Sequence, residues 1–163
     1  MKIRLATKGD DEGVLKLLVA MHDENGMAPI DGTKVFMAIQ AMRRDGWIYL
    51  AESSSGKLAG SLSLTMGEWW YSTEKFLGDR WLFVHPDYRK TPAACMLIRA
   101  AKDLSREVGV MLCLGVLSPV DPDRKSALYL RAGMVPVGGM FLYAGSEEKS
   151  WDRSVATMTA TLR

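Results

Sequence analysis

Apolar residues change their spacing several times along the chain, and each change marks an element. Residues 2–6 alternate in the manner of a strand. Thr7 with Asp10 three residues on resembles a capping box, with Asp in place of Glu. Behind it Val14, Leu17, Leu18 and Met21 recur at helical spacing, and the polar run His22-Asp23-Glu24-Asn25-Gly26 is expected to end that helix as a loop. Asp31 can cap a second helix with the apolar face Val35, Ile39 and Met42, stopped at Gly46. Residues 47–52 and the run through Leu58, Leu62, Leu64 and Met66 predict a β-hairpin about Ser53-Ser54-Ser55-Gly56, with Gly60 inviting a bulge. Residues 67–79 show no period and read as irregular. Residues 80–84 form a third apolar run, stopped by His85-Pro86.

Thr91-Pro92 predicts a sharp helix start, a capping hydroxyl followed by proline at the first helical position. The stripe Ala93, Leu97, Ala100, Ala101, Leu104 and Val108 carries that helix to Gly109. Residues 110–117 are continuously apolar, as in a central strand covered on both faces. Asp121-Pro122 repeats the cap-then-proline start, and Gly133 stops the helix it opens. Residues 134–144 read as a last strand interrupted by Gly138-Gly139. The order β-α-α-β-β-β-α-β-α-β predicts an α/β fold. Its sheet is mixed: the hairpin is antiparallel, and the strand–helix–strand unit over 80–117 makes a parallel pair.

With 163 residues, 48% of them hydrophobic, the chain can bury a core as one domain. We expect that domain over 1–145, followed by a polar linker and a terminal edge strand within 146–163. A net charge of +2 argues against nucleic acid or an anionic membrane as the main partner. No apolar run approaches the roughly 18 residues of a membrane span. Nothing at the N-terminus reads as a signal peptide, so a cytoplasmic protein is expected. Cys95 and Cys113 lie in apolar runs and are expected as buried, reduced thiols; with two distant histidines they offer no metal-ligand spacing.

Three stretches carry a family resemblance over residues 2–144. They are Ile3-Arg4-Leu5-Ala6-Thr7 with Asp10 or Asp11, Leu82-Phe83-Val84-His85-Pro86-Asp87-Tyr88-Arg89-Lys90, and Ala127-Leu128-Tyr129-Leu130-Arg131-Ala132-Gly133-Met134. Together they resemble the Gcn5-related N-acetyltransferase (GNAT) superfamily, with its V-x-P-x-Y-R turn and L-Y-x-x-x-G-F helix end. The resemblance implies helices on both faces of the mixed sheet. It implies acetyl-CoA as co-substrate, its pantetheine arm lying along the main chain of Leu82, Phe83 and Val84. The pyrophosphate would sit at a helix start, where unpaired N–H groups favour an anion. The residues implied there are Arg89, Lys90, Thr91, Ala93 and Ala94, with Arg124 or Lys125 near the adenosine phosphate. Pro92 replaces the glycine of the family pattern and removes one N–H donor.

Acetyl transfer from a thioester to an amine needs a base, a polarised carbonyl and an acid for the leaving thiolate. The resemblance places the acid at Tyr129, four residues before Gly133. Seven residues before that tyrosine the family asparagine is absent, and Pro122 stands there between Asp121 and Asp123. Glu68 is the first choice for the base, with Asp79 and Ser118 as further positional candidates. The acceptor is expected at His22 to Pro29 and at Trp69 and Trp70, since neighbouring tryptophans on a strand cannot both face inward.

The expected function is an acyl-CoA-dependent N-acetyltransferase acting on a primary amine of a small molecule or protein. The alternative is a catalytically silent domain of the same fold that binds a partner or senses a cofactor. An oligomeric structural protein, assembled through Met- and Trp-rich surfaces, is a third reading. Homodimerisation through a sheet edge or final strand is common in the family.

Overall fold

The computed structural model describes residues 1–139. They divide into two compact units, one spanning Met1–Val116 and one from Leu117 onward. In the first unit the elements follow the order β1 (Lys2–Leu5), α1 (Asp11–Asn25), α2 (Gly32–Asp45), β2 (Trp47–Glu52), β3 (Leu58–Glu68), β4 (Lys75–Val84), α3 (Ala93–Val108) and β5 (Met111–Cys113). The strands lie side by side in that order, antiparallel from β1 to β4, with β5 parallel to β4. The mixed sheet expected from the hairpin and the crossover is thus present.

Local chemistry sets the helix ends. The Asp10 carboxylate accepts from the Thr7 N–H at 2.7 Å and from its hydroxyl at 2.8 Å. Asp31 Oδ1 accepts from the Lys34 N–H at 3.0 Å, which starts α2. Gly109 ends α3 in the left-handed region at φ 70°, where a side chain would be strained. α1 runs through the predicted polar loop to Asn25. The Thr91-Pro92 start shifts by one residue: Pro92 is the cap, and Ala93 opens the helix.

Alternation along the strands splits the core in two. On one face Ala51, Leu62, Leu64 and Leu77 meet Ala93, Leu97, Ala101 and Leu104 of α3. On the other, Ile48, Leu50 and Trp81 meet Val14 and Leu18 of α1 and Ile39 of α2. Helices therefore cover both faces, as expected. The buried Asp11 carboxylate takes two bonds from Arg43, at 2.9 and 3.3 Å, and so joins α1 to α2. Trp81 is a core residue whose Nε1 donates to the buried Ser61 Oγ at 2.9 Å. Trp81→Phe should cost about 1–2 kcal/mol, because Ser61 loses its donor in a dry interior; urea unfolding measures it.

Three expectations are corrected. The stretch 67–79 is irregular only over 69–74: β3 runs to Glu68 and β4 starts at Lys75. Gly67 and Gly78 hide the alternation because the Phe76 ring lies over both; a Cβ on Gly67 would stand 2.7 Å from its tip. The run 110–117 yields only Met111–Cys113 as strand, at the edge of the described sheet, and Met111 is 58% exposed. Cys95 is exposed, on the side of α3 away from its buried stripe, while Cys113 is half-buried; both are free thiols.

The second unit contains α4 (Pro122–Arg131), started as predicted after Asp121 and followed by Gly133 at φ 77°. Residues 134–139 are not strand; the rest of the predicted strand 134–144, and the stretch 146–163, lie outside the described residues.

Candidate functional site

β4 carries one residue more than its partner. Leu64 pairs with Asp79 and Ser63 with Trp81, so Arg80 is a bulge. The bulge switches the face on which later side chains lie: Leu77 is on the α3 side, Trp81 on the α1–α2 side. On its other edge β4 pairs with β5 only from Phe76–Met111 to Gly78–Cys113. One residue later the Asp79 carboxylate, and not a main-chain group of β4, accepts the Gly115 N–H at 2.8 Å. Among the described residues, the two parallel strands part company here.

Beyond this point no described strand pairs with that edge of β4, which is open among the described residues. The His85 N–H donates to the Ala59 carbonyl at 2.9 Å across the β3 side. By the two-residue alternation, the main-chain groups of Phe83 face β3 as well, and those of Leu82 and Val84 face the open edge. The Phe83 side chain is buried, while Leu82 and Val84 pack partly against the α3 side of the core. What these three residues offer an extended ligand is backbone.

The open edge leads to the loop before α3, which is already well bonded within itself. The Arg89 N–H donates to the Pro86 carbonyl at 3.2 Å and the Thr91 N–H to the Tyr88 carbonyl at 3.0 Å. The Thr91 hydroxyl donates to the same carbonyl at 2.6 Å and accepts from the Ala93 N–H at 3.4 Å. Ala93 is fully buried in the core. Pro92 has no N–H, so the donors left in the first turn of α3 are those of Ala94 and Cys95. Lys90 is exposed. The Arg89 guanidinium lies 5.9 Å from the Phe83 ring centroid, gives Nε–H to the Val84 carbonyl at 3.4 Å, and pairs through Nη2 with Glu24 of α1.

An acyl-CoA fits these features in three respects: an extended arm finds main-chain partners at Leu82 and Val84, a diphosphate finds a helix N-terminus, and Arg89 stands between them.

The remaining candidates are spread. Asp79 sits at the parting of β4 and β5, and burial raises its carboxyl above the ordinary range, against the lowering effect of the Gly115 and Asp79 N–H groups. Glu68 is exposed and pairs with Lys75, four rungs along the ladder from Asp79, or about 13 Å. His22 Nε2 lies 2.6 Å from the Ala28 carbonyl and closes the loop after α1. Trp69 stacks on Tyr71 and packs against Phe76, whereas Trp70 is 94% exposed. These tryptophans stand on a turn, not on a strand. In the second unit, Tyr129 and Lys125 are one helical turn apart on α4, and Lys125 bonds the Ser118 hydroxyl. Among the described residues no group of three or more His, Cys, Asp or Glu side chains could hold a metal ion. No described helix is long and apolar enough to cross a membrane.

The residues that sequence reasoning missed are Arg80 and Glu24. A bulge depends on the partner strand, and the Glu24–Arg89 pair spans 65 positions, so neither leaves a local signal.

No family model and no curated protein matches the sequence. Solved structures do match its fold. One, a "probable acetyltransferase", aligns with TM-score 0.72 at 20% identity over 90% of this chain and 100% of its own. A ribosomal-protein-alanine N-acetyltransferase from Brucella melitensis biovar Abortus 2308 aligns with TM-score 0.67 at 19% identity, over 88% and 99%. An aminoglycoside antibiotic 6'-N-acetyltransferase from Acinetobacter haemolyticus aligns with TM-score 0.69 at 14% identity, over 90% and 99%. The element order and these likenesses agree: this chain has the Gcn5-related N-acetyltransferase fold.

Proposed function

We propose that this protein is an acetyl-CoA-dependent N-acetyltransferase acting on a primary amine of a small molecule or a protein. One observation carries the proposal. Past Gly78–Cys113 the strands β4 and β5 are no longer paired, and the edge of β4, without a strand partner among the described residues, runs toward the first turn of α3. In the proposed complex Leu82 and Val84 hold the arm through main-chain bonds. Arg89 and the Ala94 and Cys95 N–H groups hold the diphosphate.

For the chemistry we assign the base to Asp79 in place of Glu68. Asp79 is at the parting of the strands, and its raised carboxyl is nearer the range in which a base works at neutral pH. Asp79 takes a proton from the acceptor ammonium, directly or through water, and the freed nitrogen lone pair forms the C–N bond. As the C–S bond breaks the nitrogen loses its second proton to water, and the leaving thiolate takes a proton from the acid that the family resemblance assigns to Tyr129. The exposed Trp70 and its neighbour Trp69 supply an apolar surface for the acceptor. The free thiols Cys95 and Cys113 suit a reducing, cytoplasmic setting.

The test is calorimetric titration with acetyl-CoA and then CoA. Micromolar binding is expected, weakened about tenfold or more in Arg89→Ala by loss of a charge-assisted contact. No heat at millimolar ligand would remove the proposal. The silent, cofactor-sensing reading is favoured by the loop itself, since Pro92 lacks an N–H and those of Arg89 and Thr91 are already bonded. It would be preferred if acetyl-CoA binds but no amine in a broad panel consumes it.

A further inference from the structure

Arg89 has two partners, and both lie where the ligand proposed for it would bind. Its Nε–H goes to the Val84 carbonyl, one of the groups on the open edge of β4. Its Nη2 goes to the Glu24 carboxylate, in the last turn of α1. The pair is partly shielded, with the Arg89 side chain 35% and that of Glu24 17% exposed. An extended arm donating to the Val84 carbonyl shares that oxygen with Nε–H, and a diphosphate must outcompete a carboxylate for the same guanidinium.

We infer that Glu24 is a gate residue of the acyl-CoA site: in the free protein it holds Arg89 across the open end of β4, and it gives Arg89 up when a diphosphate enters. This role rests on the acyl-CoA site proposed above. The exchange is one anion for another on a single cation. The diphosphate wins because it carries more negative charge and also reaches the Ala94 and Cys95 N–H groups at the helix N-terminus. Glu24 therefore lowers affinity, in contrast to a residue that builds the site. It also ties the last turn of α1 to the loop before α3 until ligand arrives.

A double-mutant cycle on the intact chain tests this, with acetyl-CoA as the probe and the dissociation constant from calorimetry as the readout. Glu24→Gln keeps the size of the side chain and removes its charge. It should tighten binding about five- to tenfold, the range expected for releasing a partly exposed charge-assisted pair. Glu24→Ala, which removes the carboxylate altogether, should behave alike and guards against a defect particular to the glutamine variant. On an Arg89→Ala background Glu24→Gln should change nothing. Wild-type binding with no gain in either Glu24 variant overturns the gate and leaves the site standing. An equal gain with and without Arg89 overturns it too, since the effect would then be general electrostatics. Failure of every variant, wild type included, to bind removes the site and the gate together.

Discussion

Asp79→Asn should raise the melting temperature near neutral pH while lowering kcat by about a hundredfold or more. The two effects have one cause. The Asp79 carboxyl is raised by burial above its ordinary value of 3.8, with two N–H contacts only partly opposing. An acid raised in the fold binds more protons folded than unfolded over that interval. Stability therefore falls as pH climbs through it, and stays reduced above it. Asparagine still accepts the Gly115 N–H but never ionises. Its stabilising effect should be full near neutral pH and should vanish as pH falls through 3.8. Thermal melts of both proteins across that range measure it. A difference that ignores pH, or an asparagine variant that is less stable at neutral pH, would sink the assignment of a strained carboxylate here. A second probe lies nearby. The Cys113 thiol is pushed up by burial and, less, by the Asp79 charge, so it should alkylate faster in the variant.

Tyr129→Phe should lower kcat by about a hundredfold to a thousandfold and leave the acetyl-CoA dissociation constant within about twofold. The substitution removes one hydroxyl and keeps the ring, so the half-buried packing of α4 is preserved. Loss of turnover with binding intact is the mark of a group used only as the thiolate leaves. Lys125 stands one turn earlier on the same helix, with its ammonium group on the Ser118 hydroxyl. Unchanged turnover in the phenylalanine variant would end the acid assignment. A parallel loss of binding would turn Tyr129 into a structural residue.

Much of the architecture was legible because helix ends are local events. Asp31 and Gly109 act within one turn of the chain, through a capping carboxylate and a left-handed backbone conformation that few other residues adopt. The amphipathic stripes Val14–Leu18 and Leu97–Leu104 likewise declared which helix face is buried before any partner was known. The reading failed where periodicity was concealed. Residues 67–79 look irregular because two glycines leave their places on the sheet to the Phe76 ring, whose contacts exist only once β3 and β4 pair. The run 110–117 looks like a buried strand because apolar content reports an aversion to water and not a register.

By itself the sequence determined most of the elements over residues 2–131, their order and the faces most of them bury, since these depend on spacing and on short-range caps. The tertiary structure decided the site. Only pairing across β3 makes Arg80 a bulge, only the parting of β4 and β5 sets Asp79 against the Gly115 N–H, and only the fold brings Glu24 to Arg89. Each of these depends on contacts between residues far apart in the chain, where the energy of one pairing is set by everything packed around it and no local pattern carries it.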